Sequence, residues 1–156
     1  NKTSRLYRAL VETEIAASVS GSLMPSIDPY LYSITVAIRA GRSIDEAEAV
    51  LESEINRVCA GELSEADLRK AKKQARAAFA YGTESVTGQA YWLVYCENLV
   101  SYEWFDQYID RLDAVTFEEV LAAAKKYLRP QNRVVGHLIP TGMDEEAGEY
   151  AEDDGE

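Results

Sequence analysis

Residues 17–23, Ala-Ser-Val-Ser-Gly-Ser-Leu, and residues 32–39, Tyr-Ser-Ile-Thr-Val-Ala-Ile-Arg, each alternate between two kinds of position along the chain. An alternation of period two is typical of a β-strand with one packed face and one face in water. The turn-forming sequence Pro-Ser-Ile-Asp-Pro lies between the two runs, at residues 25–29. Together they predict an antiparallel pair of strands.

The alternation also assigns the two faces of the predicted pair. The apolar face carries Val19, Gly21, Leu23, Tyr32, Ile34, Val36 and Ile38. The opposite face carries hydroxyl side chains, namely Ser18, Ser20, Ser22, Ser33 and Thr35. Two interpretations of this hydroxyl face stay open. It either faces water, or forms the wall of a larger cavity in which an extended peptide adds to the sheet edge.

Helices are predicted on both sides of these strands. Residues 4–16 have apolar side chains near one helical face, with Thr3 or Ser4 as a cap. Beyond Gly41 the apolar period changes to about 3.6 residues. Three capping-box sequences then mark helix starts, at Ser43 with Glu46, Ser64 with Asp67, and Thr116 with Glu119.

The helices are also predicted to end at particular residues. Gly61 ends the first of them from the C′ position, and a break lies between Tyr81 and Ser85. Residues 104–112 form another short helix, and Pro130 closes the last one. Residues 133–139 read as a final strand. The resulting order, α-β-β-α-α-α-α-β, predicts an α+β fold with one antiparallel sheet and helices packed on one face.

Length and composition support a single soluble domain with a tail. The chain has 156 residues, 47% of them hydrophobic, and no apolar run near the roughly 20 residues of a membrane span. Residues 141–156 hold eight acids and no Lys or Arg, which predicts a disordered acidic tail after a domain at 1–140. A net charge of −11 argues against a nucleic-acid partner. The basic residues of the helix predicted to start at Ser64 fit a solvated helix face: Arg69, Lys70, Lys72, Lys73 and Arg76.

Few residues are suited to catalysis. His137 is the single histidine and lies in the last predicted strand, where an ordinary packed or half-exposed role is expected. Cys59 and Cys96 lie far apart in the sequence, which leaves both burial as thiols and a disulfide open. The nucleotide-binding glycine motifs are absent from the sequence. The residues alone therefore predict no active site.

Several segments, in this order, resemble a known family. They are residues 4–12 (SRLYRALVE), 16–20 (AASVS), 65–72 (EADLRKAK), 115–120 (VTFEEV), 124–128 (AKKYL) and 132–140 (NRVVGHLIP). Over residues 3–140 the chain resembles the non-catalytic domain of insulinase/pitrilysin-type (M16) zinc peptidases. This resemblance implies a metallohydrolase domain of the type found in mitochondrial processing peptidase. It also implies that a leading strand and helix of the complete domain are missing at the N-terminus.

The resemblance implies where the chemistry of such a protein lies. In the family, α+β modules form a clam-shaped chamber, and zinc binds to a different domain with an H-x-x-E-H motif. That motif needs two histidines and this chain has one, so no catalytic residue and no metal ligand is expected here. Some family domains supply an Arg and a Tyr to the substrate. Val11 and Ala17 stand at those positions in this sequence.

The expected function follows from this resemblance. The chain is predicted to be a helper domain of a zinc metalloendopeptidase, forming part of the wall of a peptide-binding chamber. Its partners would be a peptide substrate and a zinc-bearing catalytic domain, in the same parent chain or in a paired subunit. Two alternatives stay open: an assembly module of an M16-like protein without peptidase activity, and a free-standing binding protein with an acidic regulatory tail. An open sheet edge also predicts a homodimer. The periplasm and the cytoplasm both fit the sequence.

Overall fold

A hairpin of two antiparallel strands, β1 (Ala16–Leu23) and β2 (Tyr32–Ile38), forms the sheet. The computed structural model describes residues 2–28 and 30–140. Leu23 pairs with Tyr32 at one end of the hairpin, and Ala16 pairs with Ile38 at the other. A one-residue shift of register falls at Ala17. The two alternating runs therefore form the predicted strand pair.

The hairpin packs its apolar face on a small core. Leu10, Ile15, Ala16 and Ala47 are buried there, and Leu10 has no exposed surface. Partly buried side chains from both strands lie against these residues, among them Val19, Val36 and Ile38. The core joins the hairpin to the N-terminal helical turn and to the first long helix. Helices thus cover one face of the sheet, as the α+β prediction requires.

The N-terminal helix is shorter than predicted, so the prediction for residues 12–16 was wrong. It contains a π-helical turn at Tyr7–Val11, and the Ser4 hydroxyl accepts a hydrogen bond of 3.3 Å from the Tyr7 backbone N–H. Glu14 then adopts a φ of 60°, in the left-handed region that stops a helix. The reversal at Glu14 turns the chain into β1 and buries Ile15 under the sheet.

Helix α1 (Ile44–Cys59) begins and ends at the predicted residues. The Ser43 hydroxyl accepts a hydrogen bond of 3.1 Å from the Glu46 backbone N–H, which satisfies one free donor of the first turn. Gly61 follows the helix with a φ of 91°, a conformation that favours glycine at C′. The local sequence therefore sets both ends of α1.

Helices α2 (Glu65–Gly82) and α3 (Val86–Leu99) are separate, which confirms the predicted break. At the start of α2, the backbone N–H of Asp67 donates to the Ser64 hydroxyl, and the Asp67 carboxylate accepts from the Ser64 backbone N–H at 3.0 Å. This reciprocal pair is the predicted capping box. At the start of α3 the Ser85 hydroxyl accepts a hydrogen bond of 3.0 Å from the Gly88 backbone N–H, and glycine has no side chain to return it.

An aromatic cluster holds α2 and α3 against helix α4 (Glu103–Ala114). The Phe79 ring centroid lies 4.5 Å from that of Tyr108 and 5.7 Å from that of Trp92. At the end of α2, a Cβ atom at Gly82 would lie 2.8 Å from the Trp92 indole nitrogen. Only glycine allows this close approach of backbone and indole ring.

Among the basic residues of α2, Arg69, Lys73 and Arg76 are exposed and Lys70 and Lys72 are partly buried, and several of them also make polar contacts. The Lys70 ammonium donates to the Thr3 carbonyl at 2.8 Å, and the Lys72 ammonium donates to the Asp113 carbonyl at 2.7 Å. Arg76 forms an ion pair with the Asp113 carboxylate. The contact with Arg76 lowers the pKa of Asp113. These side chains therefore connect α2 to the N-terminus and to α4.

Helix α5 (Phe117–Tyr127) starts at the predicted capping box of Thr116 and Glu119. It packs on α1, with Ala124 buried between them. A 3₁₀ turn at Pro130–Asn132 follows. No residue of the described chain after this turn belongs to a strand, so the strand predicted at 133–139 was wrong. A strand requires hydrogen bonds to a neighbouring strand, and residues 133–139 have no such neighbour within the described parts of the chain.

Two further predictions concern the C-terminal residues and the lack of a membrane-spanning helix. The predicted acidic tail, 141–156, lies outside the described residues. Within the described residues, every helix is too short or too polar to cross a membrane.

Candidate functional site

The five hydroxyl residues predicted as a site lie together on one face of the hairpin. Ser20 is the cross-strand partner of Thr35, and Ser22 is the partner of Ser33. Directly paired residues of an antiparallel sheet point to the same side. All five side chains, including Ser18, are exposed. The strand register thus forms a continuous, uncharged hydroxyl face.

The opposite face of the hairpin supports this surface. Val19, Val36 and Ile38 pack on the buried core, which fixes which side of each strand is presented outward. Beyond the core, the Tyr32 phenol covers Gly21, where a Cβ atom would lie 2.6 Å from the phenol oxygen. The hydroxyl face is therefore held on a rigid element by packing on its reverse side.

The turn of the hairpin lies against α3. The Tyr95 hydroxyl donates a hydrogen bond of 3.2 Å to the Pro25 carbonyl. The Tyr95 ring stacks on Tyr91, with centroids 5.7 Å apart. Large apolar side chains around this contact are exposed, namely Leu23, Met24, Ile27, Tyr30, Leu31, Tyr91 and Val94. We call these residues the hairpin–α3 surface.

The sequence analysis did not find the hairpin–α3 surface. In the structure Trp92 and Cys96 face the neighbouring helices, while Tyr91 and Val94 remain exposed. A helix that is apolar all round is usually buried, and this was the available signal that α3 has more than one packing partner.

The single histidine does not lie in a metal site. The His137 imidazole Nε2 is 3.6 Å from the Glu48 carboxylate. Arg133 also contacts Glu48, at 3.6 Å, and Glu52, at 3.5 Å. The positive guanidinium that contacts both carboxylates would repel a divalent cation. Zinc sites also generally need three or four donors. Across residues 2–28 and 30–140, no group of three or more His, Cys, Asp or Glu side chains is suited to a metal ion.

The two cysteines are free thiols. Burial raises the pKa of the Cys96 thiol. The Cys59 sulfur lies 3.7 Å from the carbonyl oxygens of Ala124 and Leu128, either of which can accept its single proton. A buried thiol with a raised pKa is a weak nucleophile at neutral pH. Cys96 therefore acts as a packing residue, and the partly buried Cys59 lies between α1 and α5.

Fold and site together define a class of protein, an α+β domain in which helices cover one face of a two-stranded hairpin and no metal-binding cluster lies among the described residues. Residues 1–75 match the model of a family described as "Peptidase M16 inactive domain". The sequence matches no curated protein at a significant level. Similar proteins are found instead among solved structures.

Two of these structures come from Bordetella. One is a "putative zinc protease" from Bordetella pertussis Tohama I, 27% identical, with a TM-score of 0.80. The match covers 90% of this chain and 78% of that chain. The other is the "inactive peptidase domain of a putative zinc protease" from Bordetella parapertussis, 26% identical, with a TM-score of 0.81. It covers 91% of this chain and 78% of that one.

A third structure, a protease from Helicobacter pylori, is similar in fold alone. It is 17% identical, with a TM-score of 0.76, over 83% of this chain and 32% of that chain. The family model covers three of the six segments that resemble the family, 4–12, 16–20 and 65–72. Over residues 1–75 this chain is similar to the inactive domain of M16 peptidases, and over most of its length it is similar to the two Bordetella structures.

Proposed function

We propose that this chain is a helper domain of a zinc metalloendopeptidase, and that its hydroxyl face forms part of the wall of a peptide-binding chamber. The observation that carries the proposal is the exposed face of Ser18, Ser20, Ser22, Ser33 and Thr35 on a hairpin backed by the core. Hydroxyls both donate and accept hydrogen bonds, and they carry no charge. Such a surface suits peptides of varied sequence.

The reaction itself would take place on another domain. The H-x-x-E-H motif requires two histidines, and these 156 residues contain one. We propose that zinc is held by a catalytic M16 domain in the same parent chain or in a paired subunit. The hairpin–α3 surface, with exposed Tyr91 and Val94, offers an apolar area for such a neighbour.

A binding experiment tests the chamber wall. The probe is a fluorescein-labelled, unstructured peptide of mixed sequence, titrated with the full chain and followed by fluorescence anisotropy. Ser20→Asp places a charge at the centre of the hydroxyl face, and it should change the affinity several-fold while leaving urea unfolding unchanged. Ser53→Asp is the matched control, because Ser53 is exposed on α1 and away from the hairpin. Equal affinities for both variants, or no binding, would contradict the proposal.

A second experiment tests the absence of catalysis by this chain. The full chain is incubated with zinc and the same peptide, and the products are examined by mass spectrometry. We expect no zinc-dependent cleavage. Cleavage that is abolished by a chelator and follows this chain through purification would show that the helper role is wrong.

The second candidate function is an assembly module in a protein of this family that has lost peptidase activity. The hairpin–α3 surface favours it, since an apolar surface of this kind serves a structural neighbour as well as a catalytic one. The two candidates differ in the neighbouring domain. An H-x-x-E-H motif in the parent chain or in a paired subunit supports the chamber, and its absence from both supports the assembly module.

A further inference from the structure

The hydroxyl face ends at an arginine. Along β2 the exposed positions alternate with partly buried ones, and the exposed series runs through Ser33, Thr35 and Ala37 to Arg39. The pairing of the hairpin continues to Arg39, because its backbone N–H donates a hydrogen bond of 3.0 Å to the Ile15 carbonyl. Arg39 therefore lies on the same side as the hydroxyls, two residues and about 7 Å beyond Ala37.

The Arg39 guanidinium uses little of its binding capacity within the protein. Its Nη1 atom lies 2.9 Å from the Glu14 Oε1 atom, and this ion pair is the one polar contact of the guanidinium among the described residues. A guanidinium carries five N–H donors and can bind a carboxylate through two of them at once. The side chains of Arg39 and Glu14 are 52% and 69% exposed. Exposed ion pairs are weak, so a second carboxylate can replace Glu14.

The nearby Arg42 differs from Arg39 because all three of its nitrogen atoms are used within the protein. The Nε atom donates to the Glu14 carbonyl at 3.2 Å, and the Nη2 atom donates to the Thr13 carbonyl at 3.4 Å. The Nη1 atom donates to the Glu46 carboxylate at 3.2 Å. Arg42 thus fixes the turn in which Glu14 adopts its left-handed φ of 60°. Arg39 is the guanidinium that remains available to a ligand.

We propose that Arg39 binds a carboxylate of a peptide that lies on the hydroxyl face, in exchange for Glu14. The inference rests on the proposed function, because it needs the peptide on that face, and it adds a substrate class. The class is peptides with a carboxylate at this end, either the C-terminus or an acidic side chain. The chain has a net charge of −11, which disfavours anionic ligands in general. A preference for a carboxylate therefore requires a local cation, and Arg39 supplies it.

Calorimetric titration of the full chain with unlabelled peptides tests the inference. Three peptides share one uncharged sequence and an acetylated N-terminus. The first has a free C-terminal carboxylate, the second a C-terminal amide, and the third a C-terminal amide and one Glu in the sequence. At low salt, at least one of the two carboxylate peptides should bind about two- to fivefold more tightly than the second peptide. Tighter binding of the first alone identifies a C-terminus as the ligand, and tighter binding of the third alone identifies a side chain.

Three variants locate the source of the preference. Arg39→Gln should abolish it. Arg76→Gln should keep it and is the matched control, because the Arg76 side chain is 51% exposed, pairs with the single carboxylate of Asp113 and lies on α2 instead of the hairpin. Glu14→Gln removes the internal competitor, so it should increase the preference. All of these side chains are exposed, and urea unfolding of the variants should change little.

The outcomes separate this inference from the proposed function. Equal affinities for all three peptides, with binding that Ser20→Asp still changes, would overturn the role of Arg39 and leave the hydroxyl face as a peptide site. A preference for carboxylates that survives Arg39→Gln, or that Arg76→Gln also removes, would overturn it as well. If none of the peptides binds, the proposed function is contradicted and this inference fails with it.

Discussion

The strand β2 and the segment 133–139 are similar in sequence and different in structure. Both are rich in valine and other apolar side chains, which alternate with Ser33 and Thr35 in β2 and stand in adjacent pairs, at 134–135 and 138–139, in the segment. β2 pairs with β1 along its length and packs Val36 and Ile38 on the core. Residues 133–139 reach α1 through the Arg133 and His137 side chains and expose most of their apolar surface. The difference shows that a partner strand and a buried core, more than the pattern itself, make a strand.

The sharpest test of this difference truncates one leucine in the core on which β2 packs and one leucine in residues 133–139. Leu10→Ala removes a fully buried side chain beneath the hairpin and should lower the free energy of unfolding by about 2–5 kcal/mol. Leu138→Ala removes a side chain that is 95% exposed, so the free energy of unfolding should change by less than about 0.5 kcal/mol. Urea unfolding at low protein concentration measures both. Similar losses for the two variants would mean that residues 133–139 are packed after all.

The second test compares a glycine shortly after β2 with the glycine at the centre of residues 133–139. Gly41 follows β2 with a φ of 81°, so Gly41→Ala forces a side chain into the left-handed region, at a cost of about 1–2 kcal/mol. Gly136 has no positive φ and open space around it. Gly136→Ala should leave the free energy of unfolding unchanged or raise it by up to about 1 kcal/mol. Thermal unfolding of both variants provides the measurement, and a destabilised Gly136→Ala would contradict the prediction.

These contrasts explain which elements the sequence could predict. The capping boxes at Ser64 and Thr116 and the C′ glycine at Gly61 are local devices, since each partner lies within a few residues. The helix boundaries that depend on them were therefore predicted correctly. The hairpin was also predicted, because its two strands are neighbours in the sequence and share one turn.

Elements that depend on distant residues were not predicted. The end of the first helix depends on burying Ile15 under the sheet, and no local signal precedes Glu14. The state of residues 133–139 depends on a partner strand. The candidate site divides in the same way: the hydroxyl face follows from alternation, whereas the hairpin–α3 surface requires the contact between Tyr95 and Pro25.

A third prediction concerns the attachment of residues 133–139 to α1. Glu48→Gln removes the charge that Arg133 and His137 share, so the segment should detach more often. Exposed ion pairs contribute little, and the free energy of unfolding should fall by less than about 1 kcal/mol. Trypsin cleavage after Arg133, followed by mass spectrometry at low protein concentration, should become faster. Glu46→Gln is the control, because Glu46 pairs with Arg42 and not with this segment; an equal acceleration there would contradict the assignment.

The smallest effect is expected at the start of α2, where Asp67 and its hydrogen-bond partner Ser64 are only three residues apart in the sequence. Hydrogen bonds from the Ser64 hydroxyl and backbone lower the pKa of the Asp67 carboxyl. A carboxyl with a lowered pKa in the folded state stabilises the fold above its ordinary pKa of about 3.9, and this contribution is lost as the pH falls through the lowered value. Asp67→Asn should therefore reduce the loss of stability at acid pH, measured by urea unfolding across that range. Ser64→Ala keeps the carboxylate and removes the hydroxyl, so it should weaken the same pH dependence. A pH dependence that both variants leave intact would mean that the cap does not couple to protonation.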